Sequence, residues 1–171
     1  MVHRSALGWL RLSCSIVCIL CLAGCGDSAN GSGGSGGSGG LSDAERACQL
    51  ADAMMVTAAF EGTASEGVPD IARNCRFELT GGEVDSVSVF YFGDDSRWEG
   101  TRQGFEDNTG GTTDVPGLGD EAFYPNNVGP YSLVVRANGI IFEVSASVAF
   151  ITPSAGLAAD VEELARAIVG S

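Results

Sequence analysis

This sequence predicts an α+β layer fold for residues 41–171, and three observations carry the prediction. Apolar residues recur at three- and four-residue spacing near both ends of that stretch, the mark of a helix with one buried face. Between them lie runs rich in β-branched and aromatic residues. One junction between runs is Asn138-Gly139, a dipeptide suited to the type I′ turn that joins antiparallel neighbours. Helices at the ends and antiparallel strands between them pack as layers of helix on sheet.

The first helix opens at Ser42-Asp43-Ala44-Glu45, which has capping-box spacing, and Ala44, Ala47, Cys48, Ala51, Met54, Met55 and Ala58 mark its inner face. One helix is expected as far as Gly62, with Met54 and Met55 filling gaps in the core. Residues 61–71, which hold Pro69, read as a loop. Asn74 to Thr80 and Val84 to Phe92 read as strands joined through Gly81-Gly82. The second ends aromatic on both faces, as a central strand covered above and below does. Ser96-Arg97-Trp98-Glu99 reads as a further helix cap, with Trp98, Thr101 and Phe105 along one side of a short helix that Gly110 breaks.

Val115 to Tyr124 reads as two short extended pieces about Gly117-Leu118-Gly119, and Pro125 to Pro130 as a turn. Tyr131 to Ala137 and Ile140 to Val148 flank Asn138-Gly139 as the clearest hairpin in the chain. Thr152-Pro153 offers an N-cap with proline in the first helical position. Leu157, Val161, Leu164 and Ile168 then form one stripe, and Gly170 ends the helix.

Ahead of this domain, His3, Arg4 and Arg11 form a basic n-region and Leu12 to Leu22 an apolar run too short to span a bilayer of about 30 Å. Leu22-Ala23-Gly24-Cys25 closes it and resembles the lipobox of bacterial lipoproteins, in which the cysteine receives diacylglycerol and small residues precede the cut. The resemblance implies a signal peptide over residues 1–24, a mature chain starting at Cys25, and acyl chains such as palmitate holding it to the cell membrane. Two or more chains suffice for stable attachment at about 0.8 kcal/mol per buried CH₂. Residues 26–40 end in repeated Gly-Ser-Gly-Gly, a flexible tether with an end-to-end distance of roughly 20 Å. Artificial linkers share that composition; the place between a lipobox and a domain favours a native tether.

Composition excludes more than it names. The chain has 22 acids against 9 bases, and removing Arg4 and Arg11 leaves 7 bases, a net charge near −15. Such a surface is repelled by phosphates and anionic head groups, so nucleic acid and flat adsorption on a membrane are not expected. Cys14, Cys18 and Cys21 leave with the signal, so only Cys48 and Cys75 reach the domain, where an oxidising compartment pairs them. The alternative, a cysteine nucleophile, lacks a base. His3 is the only histidine and there is no lysine, so no Ser-His-Asp, Cys-His or Ser-Lys arrangement can form in the mature chain. Zinc sites of the usual kind are likewise not expected.

Gly117-Leu118-Gly119-Asp120-Glu121-Ala122 satisfies the letter of the dinucleotide fingerprint. Its context argues for a tight turn instead, because no long strand precedes it and two acids would face a pyrophosphate. The pairs Asp94-Asp95, Glu106-Asp107 and Asp120-Glu121 could offer oxygens to calcium, but none has EF-hand spacing. Two acids held roughly 5–9 Å apart could cleave a glycosidic bond. Trp98 and Tyr124 are the aromatics to examine for exposure, each expected in the core.

Several of these segments carry a second resemblance. A cysteine early in the first helix, Asn74-Cys75-Arg76-Phe77, the run from Val115 to Tyr124, the Val134-Val135-Arg136 strand and a Leu/Ala-rich last helix are similar to small cell-envelope lipoproteins of actinobacteria. The resemblance implies an α/β/α sandwich like the PsbP fold, an antiparallel sheet flanked by helices, and transfers no catalytic residue. The segment after Cys48 departs from the family's commoner Leu-Leu-Thr helix start.

The expectation is therefore a single, monomeric domain with no catalytic residue, cofactor or metal, anchored outside the membrane in a binding or accessory role. Its partner would be an envelope protein, a polymer or a small ligand. Two alternatives stand beside it: a carrier of an apolar envelope molecule, which needs a cavity of some 300 Å³, and a carboxylate-based glycan hydrolase.

Overall fold

The computed structural model describes residues 40–70, 73–128, 131–148 and 156–171. The expected signal peptide, Cys25, the tether up to residue 39 and the Thr152-Pro153 cap lie outside the described residues.

Ser42 opens α1 (Asp43–Leu50) with both halves of the capping box. Its hydroxyl accepts from Glu45 N at 3.2 Å and the Glu45 carboxylate accepts from Ser42 N at 2.7 Å. The one long helix expected to Gly62 is two. Ala51 turns extended, at φ −142°, and α2 (Ala53–Ala59) starts afresh. Asp52 makes the break, because its Oδ1 accepts from Met55 N at 2.8 Å and so caps a new helix rather than continuing the old one. The new start moves Met54 off the inner face and leaves it 77% exposed, while Met55 packs against the core. Asp52→Ala is expected to cost about 1 kcal/mol, read as a lower midpoint in urea; an unchanged midpoint would show that Asp52 does not hold the break.

Among the described residues eight strands form one antiparallel sheet: β1 (Thr63–Ala64), β2 (Val68–Pro69), β3 (Asn74–Thr80), β4 (Val84–Asp94), β5 (Thr112–Asp114), β6 (Glu121–Pro125), β7 (Ser132–Ala137) and β8 (Ile140–Val148). Their order is β1-β3-β4-β8-β7-β6-β5, with β2 also beside β3. The segment read as a loop thus supplies two short edge strands, and Pro69 is tolerated there because an edge position needs no donor. β4 is central as expected, between β3 and β8. The β7–β8 hairpin turns through Asn138 at φ 53° and Gly139 at φ 78°, the left-handed pair a type I′ turn requires.

Alternation along the strands builds two cores. Ala122, Val135, Phe142 and Val144 join one, and Phe123, Val134 and Ile141 the other. The first face is covered by α1, α2 and α4 (Leu157–Val169), whose stripe Leu157, Val161, Leu164 and Ile168 is buried. The second face is covered in part by α3 (Trp98–Thr109), which lies against β5 and β6. The result is an α+β sandwich with helices on both sides of an antiparallel sheet.

Two boundaries differ from expectation. Ser96 does not cap a helix: Asp94 caps a 3₁₀ turn over Asp95–Arg97, accepting from Ser96 N at 3.1 Å, and α3 continues from that turn with no side-chain cap of its own. Gly110, left-handed at φ 76°, ends the helix, and the next strand begins at Thr112 rather than Val115.

Cys48 of α1 and Cys75 of β3 form a disulfide that ties the first helix layer to the sheet. Gly67 lies directly against it, since a Cβ there would fall 2.5 Å from Cys75 Sγ.

Candidate functional site

The segment Gly117 to Ala122 is a turn, as its context required. Gly117 and Gly119 hold φ of 77° and 59°, and a Cβ on Gly119 would fall 2.6 Å from the Arg136 carbonyl oxygen. Asp120 N donates to that same carbonyl at 2.8 Å, and Leu118 is buried beneath the turn. A strand, β6, follows instead of a helix. The turn therefore clamps onto β7 and aims Glu121 at α3.

Glu121 is the centre of a polar network along one flank of α3. Its Oε1 accepts from Arg136 Nη2, and its Oε2 accepts from Trp98 Nε1 at 2.9 Å and stands 4.0 Å from Arg102 Nη1. Arg102 donates Nε to Glu106 at 3.1 Å, and Nη2 to Asp114 at 2.7 Å and to Thr112 at 3.3 Å. Asp114 and Glu106 hold the Arg102 guanidinium above its ordinary pKa. The guanidinium lies 5.4 Å from the Phe123 ring centre, and that of Arg136 lies 5.5 Å from Trp98. A groove of about 250 Å³ opens beside Arg102, Asp114, Pro116, Asp120 and Glu121. Glu106, Asp114 and Glu121 are all bonded to arginine. None of the three is left as a free acid facing another across the groove, the arrangement glycoside cleavage uses.

The opposite flank of α3 is apolar. Phe92 of β4 and Phe105 of α3 meet edge to face at 6.0 Å and line a groove of about 380 Å³ with Gly100, Thr101, Gly104 and Asn108. Gly100 and Gly104 border open space there, where a Cβ on either would meet nothing within 4 Å. Phe90 continues the aromatic wall, stacked on Phe92 at 6.3 Å. Directly opposite Phe90 in the sheet register stands Glu143 of β8.

Glu143 is partly buried and accepts one hydrogen bond, from Ser132 Oγ at 2.6 Å. Burial raises its carboxyl pKa, against the opposing pull of the Ser132 hydroxyl. A carboxyl raised by folding contributes stability below the ordinary glutamate range and loses that contribution as pH rises through the raised value. Glu143→Gln, neutral throughout, is therefore expected to melt a few degrees above the wild-type protein at neutral pH, a shift of about 1 kcal/mol. The difference should close as pH falls below about 4. Thermal melts at the two pH values check this, and a glutamine variant that melts lower at both would contradict it.

Of the other residues singled out from sequence, Trp98 is buried at 1% exposure and Tyr124 is partly buried. The Tyr124 hydroxyl donates to the Ala158 carbonyl at 3.1 Å and lies 3.2 Å from Glu162 Oε1, joining β6 to α4. Burial, then Glu162, raises its pKa. Of the acidic pairs, Asp94 is spent on its cap and Glu106 and Glu121 on arginines. Glu61, Glu83 and Asp160 line a separate groove, where burial and then Glu163, Glu83 and Glu61 raise the Asp160 carboxyl. Among the described residues no three acids, histidines or cysteines converge as a metal site would require. No described helix is long and apolar enough to cross a membrane.

Sequence reasoning missed Arg102, Arg136 and Glu143. Arg136 and Glu143 each interrupt an otherwise apolar strand, a signal visible in Val134-Val135-Arg136 and Phe142-Glu143-Val144. Arg102 carries no such mark, because its partners come from residues 4, 12 and 19 positions away. Compared with known families, curated proteins and solved structures, the chain finds no match.

Proposed function

We propose that this protein is an extracytoplasmic lipoprotein of the cell envelope, held to the membrane through Cys25 and acting by binding rather than catalysis. The observation that carries the reading is Leu22-Ala23-Gly24-Cys25 at the end of a basic and then apolar N-terminus. Its features recur in the small actinobacterial envelope lipoproteins that the domain resembles. The Cys48–Cys75 disulfide supports an oxidising compartment. Capture of Glu106, Asp114 and Glu121 by arginine, with no histidine beyond His3 and no lysine, supports a non-enzymatic role.

The carrier alternative is favoured by one observation, the apolar groove of about 380 Å³ between Phe92 and Phe105. An open groove of this kind holds part of an apolar molecule rather than enclosing it.

The test is the mass of the N-terminal peptide of the native protein together with incorporation of labelled palmitate. Cys25 is expected to be the first residue and acylated, and Cys25→Ser is expected to abolish labelling and release the protein from the membrane fraction. An intact, unacylated N-terminus on a cytosolic protein would overturn the reading.

A further inference from the structure

We infer that the open half of the sheet's second face, from Phe105 and Phe92 along Phe90 to Glu143, binds a small organic cation: a primary ammonium on an apolar or aromatic body. This deepens the binding reading above and rests on it. Two properties meet on one surface, an aromatic groove and acceptors with capacity to spare: Glu143, which has one donor and no cation, and Asn74 Oδ1, which has none.

The aromatic part is continuous. Phe105, Phe92 and Phe90 follow one another at 6.0 and 6.3 Å, and Gly100 and Gly104 line the open groove beside them. A ring or alkyl chain laid there buries apolar surface at about 25 cal/mol per Å². A cation near a ring face gains a further attraction.

The polar part flanks Phe90 on both sides. On one side is Glu143, whose carboxyl has a single donor, Ser132, and no arginine within ion-pair distance among the described residues. On the other side is Asn74, 5% exposed, whose Nδ2 donates to Ser88 Oγ at 3.2 Å while its Oδ1 meets no donor. Buried acceptors without donors are rare and costly. No side-chain cation of the described residues is paired with Glu143: there is no lysine, Arg73, Arg76, Arg102, Arg136 and Arg166 are bonded to other acids, Arg46 lies over the Tyr91 ring and Arg97 lies beside Gly93. The strongly negative domain attracts cations from solution, and Glu143 gives them a fixed end point beside an apolar wall.

The spacing sets the ligand's length. Phe92 and Phe90 lie two residues apart on one strand, about 7 Å, and Glu143 is one strand further, about 5 Å between Cβ atoms. A ring in the groove and an ammonium at Glu143 are therefore joined by a short linker of several carbons. 4-Phenylbutan-1-amine meets that requirement, and 4-phenylbutan-1-ol is its neutral counterpart.

The experiment titrates both probes into isotope-labelled full chain in zwitterionic nanodiscs, with empty nanodiscs subtracted, and follows binding by NMR. Saturable amine binding is expected, with shifts at Phe90, Phe92, Gly104 and Glu143. The alcohol should bind about tenfold more weakly, the loss expected of a charged hydrogen bond. Glu143→Gln should bring the amine down to the alcohol's affinity and leave the alcohol's unchanged. Equal affinities of amine and alcohol for the wild-type protein would overturn the inference even if the variant failed to fold. So would shifts confined to the Glu61 and Asp160 groove. With Cys25 found acylated, such a result removes the ligand class alone; an unacylated Cys25 removes the anchored reading and leaves the titration result standing.

Discussion

Trp98→Ala is expected to destabilise the protein by about 3–5 kcal/mol, the cost of truncating a fully buried aromatic. Trp98 is 1% exposed and is the only buried residue of α3. Its ring lies 5.3 Å from Phe123, and the Arg136 guanidinium lies 5.5 Å from it. Removing it leaves a void beneath the helix and takes from Glu121 a hydrogen bond made at 2.9 Å. Trp98→Phe separates the two effects, because it keeps most of the packing and loses only the indole donor. That variant should cost about 1 kcal/mol, since Arg136 still bonds Glu121. Urea unfolding followed by near-ultraviolet circular dichroism measures both. If the alanine variant lost less than about 1 kcal/mol, α3 would not depend on this anchor for its seat on the sheet.

Loss of the disulfide is expected to cost about 3.5 kcal/mol for the observed separation of 27 residues, on the account in which the bridge restricts the unfolded chain. The bond joins α1 to β3 across the first core, and Cys75 is fully buried there. The variant Cys48→Ala/Cys75→Ala should therefore unfold at a lower urea midpoint than the oxidised protein. Prolonged incubation with a thiol under partly unfolding conditions should bring the wild-type protein to nearly the same value. Equal midpoints for oxidised wild type and double variant would show that helix packing alone fixes α1. A loss this large is a substantial part of the stability of a typical domain.

Elements whose signals are local were legible in the sequence. The Ser42 capping box, the Asn138-Gly139 turn, the α4 stripe and the Gly110 stop each depend on residues a few positions apart. The first helix misled because a periodic apolar face looks the same whether or not Asp52 turns back to cap a new helix within it. β1 and β2 were invisible for a related reason. Two-residue strands have no period of their own and exist only because β3 offers them an edge. The acidic pairs lack metal-site spacing in the sequence, but their partners were not legible there: Glu106 and Glu121 are taken by Arg102 and Arg136 once the chain folds.

The α+β class and the cysteine pair follow from the sequence by itself, because composition and short-range spacing decide them. Placement of Trp98, Arg102, Arg136 and Glu121 in one network was decided only by tertiary structure. So was the row from Phe105 to Glu143. Strand register and the seat of α3 bring together residues that are distant in the chain, and the interactions there depend on distance in space, which local sequence does not encode.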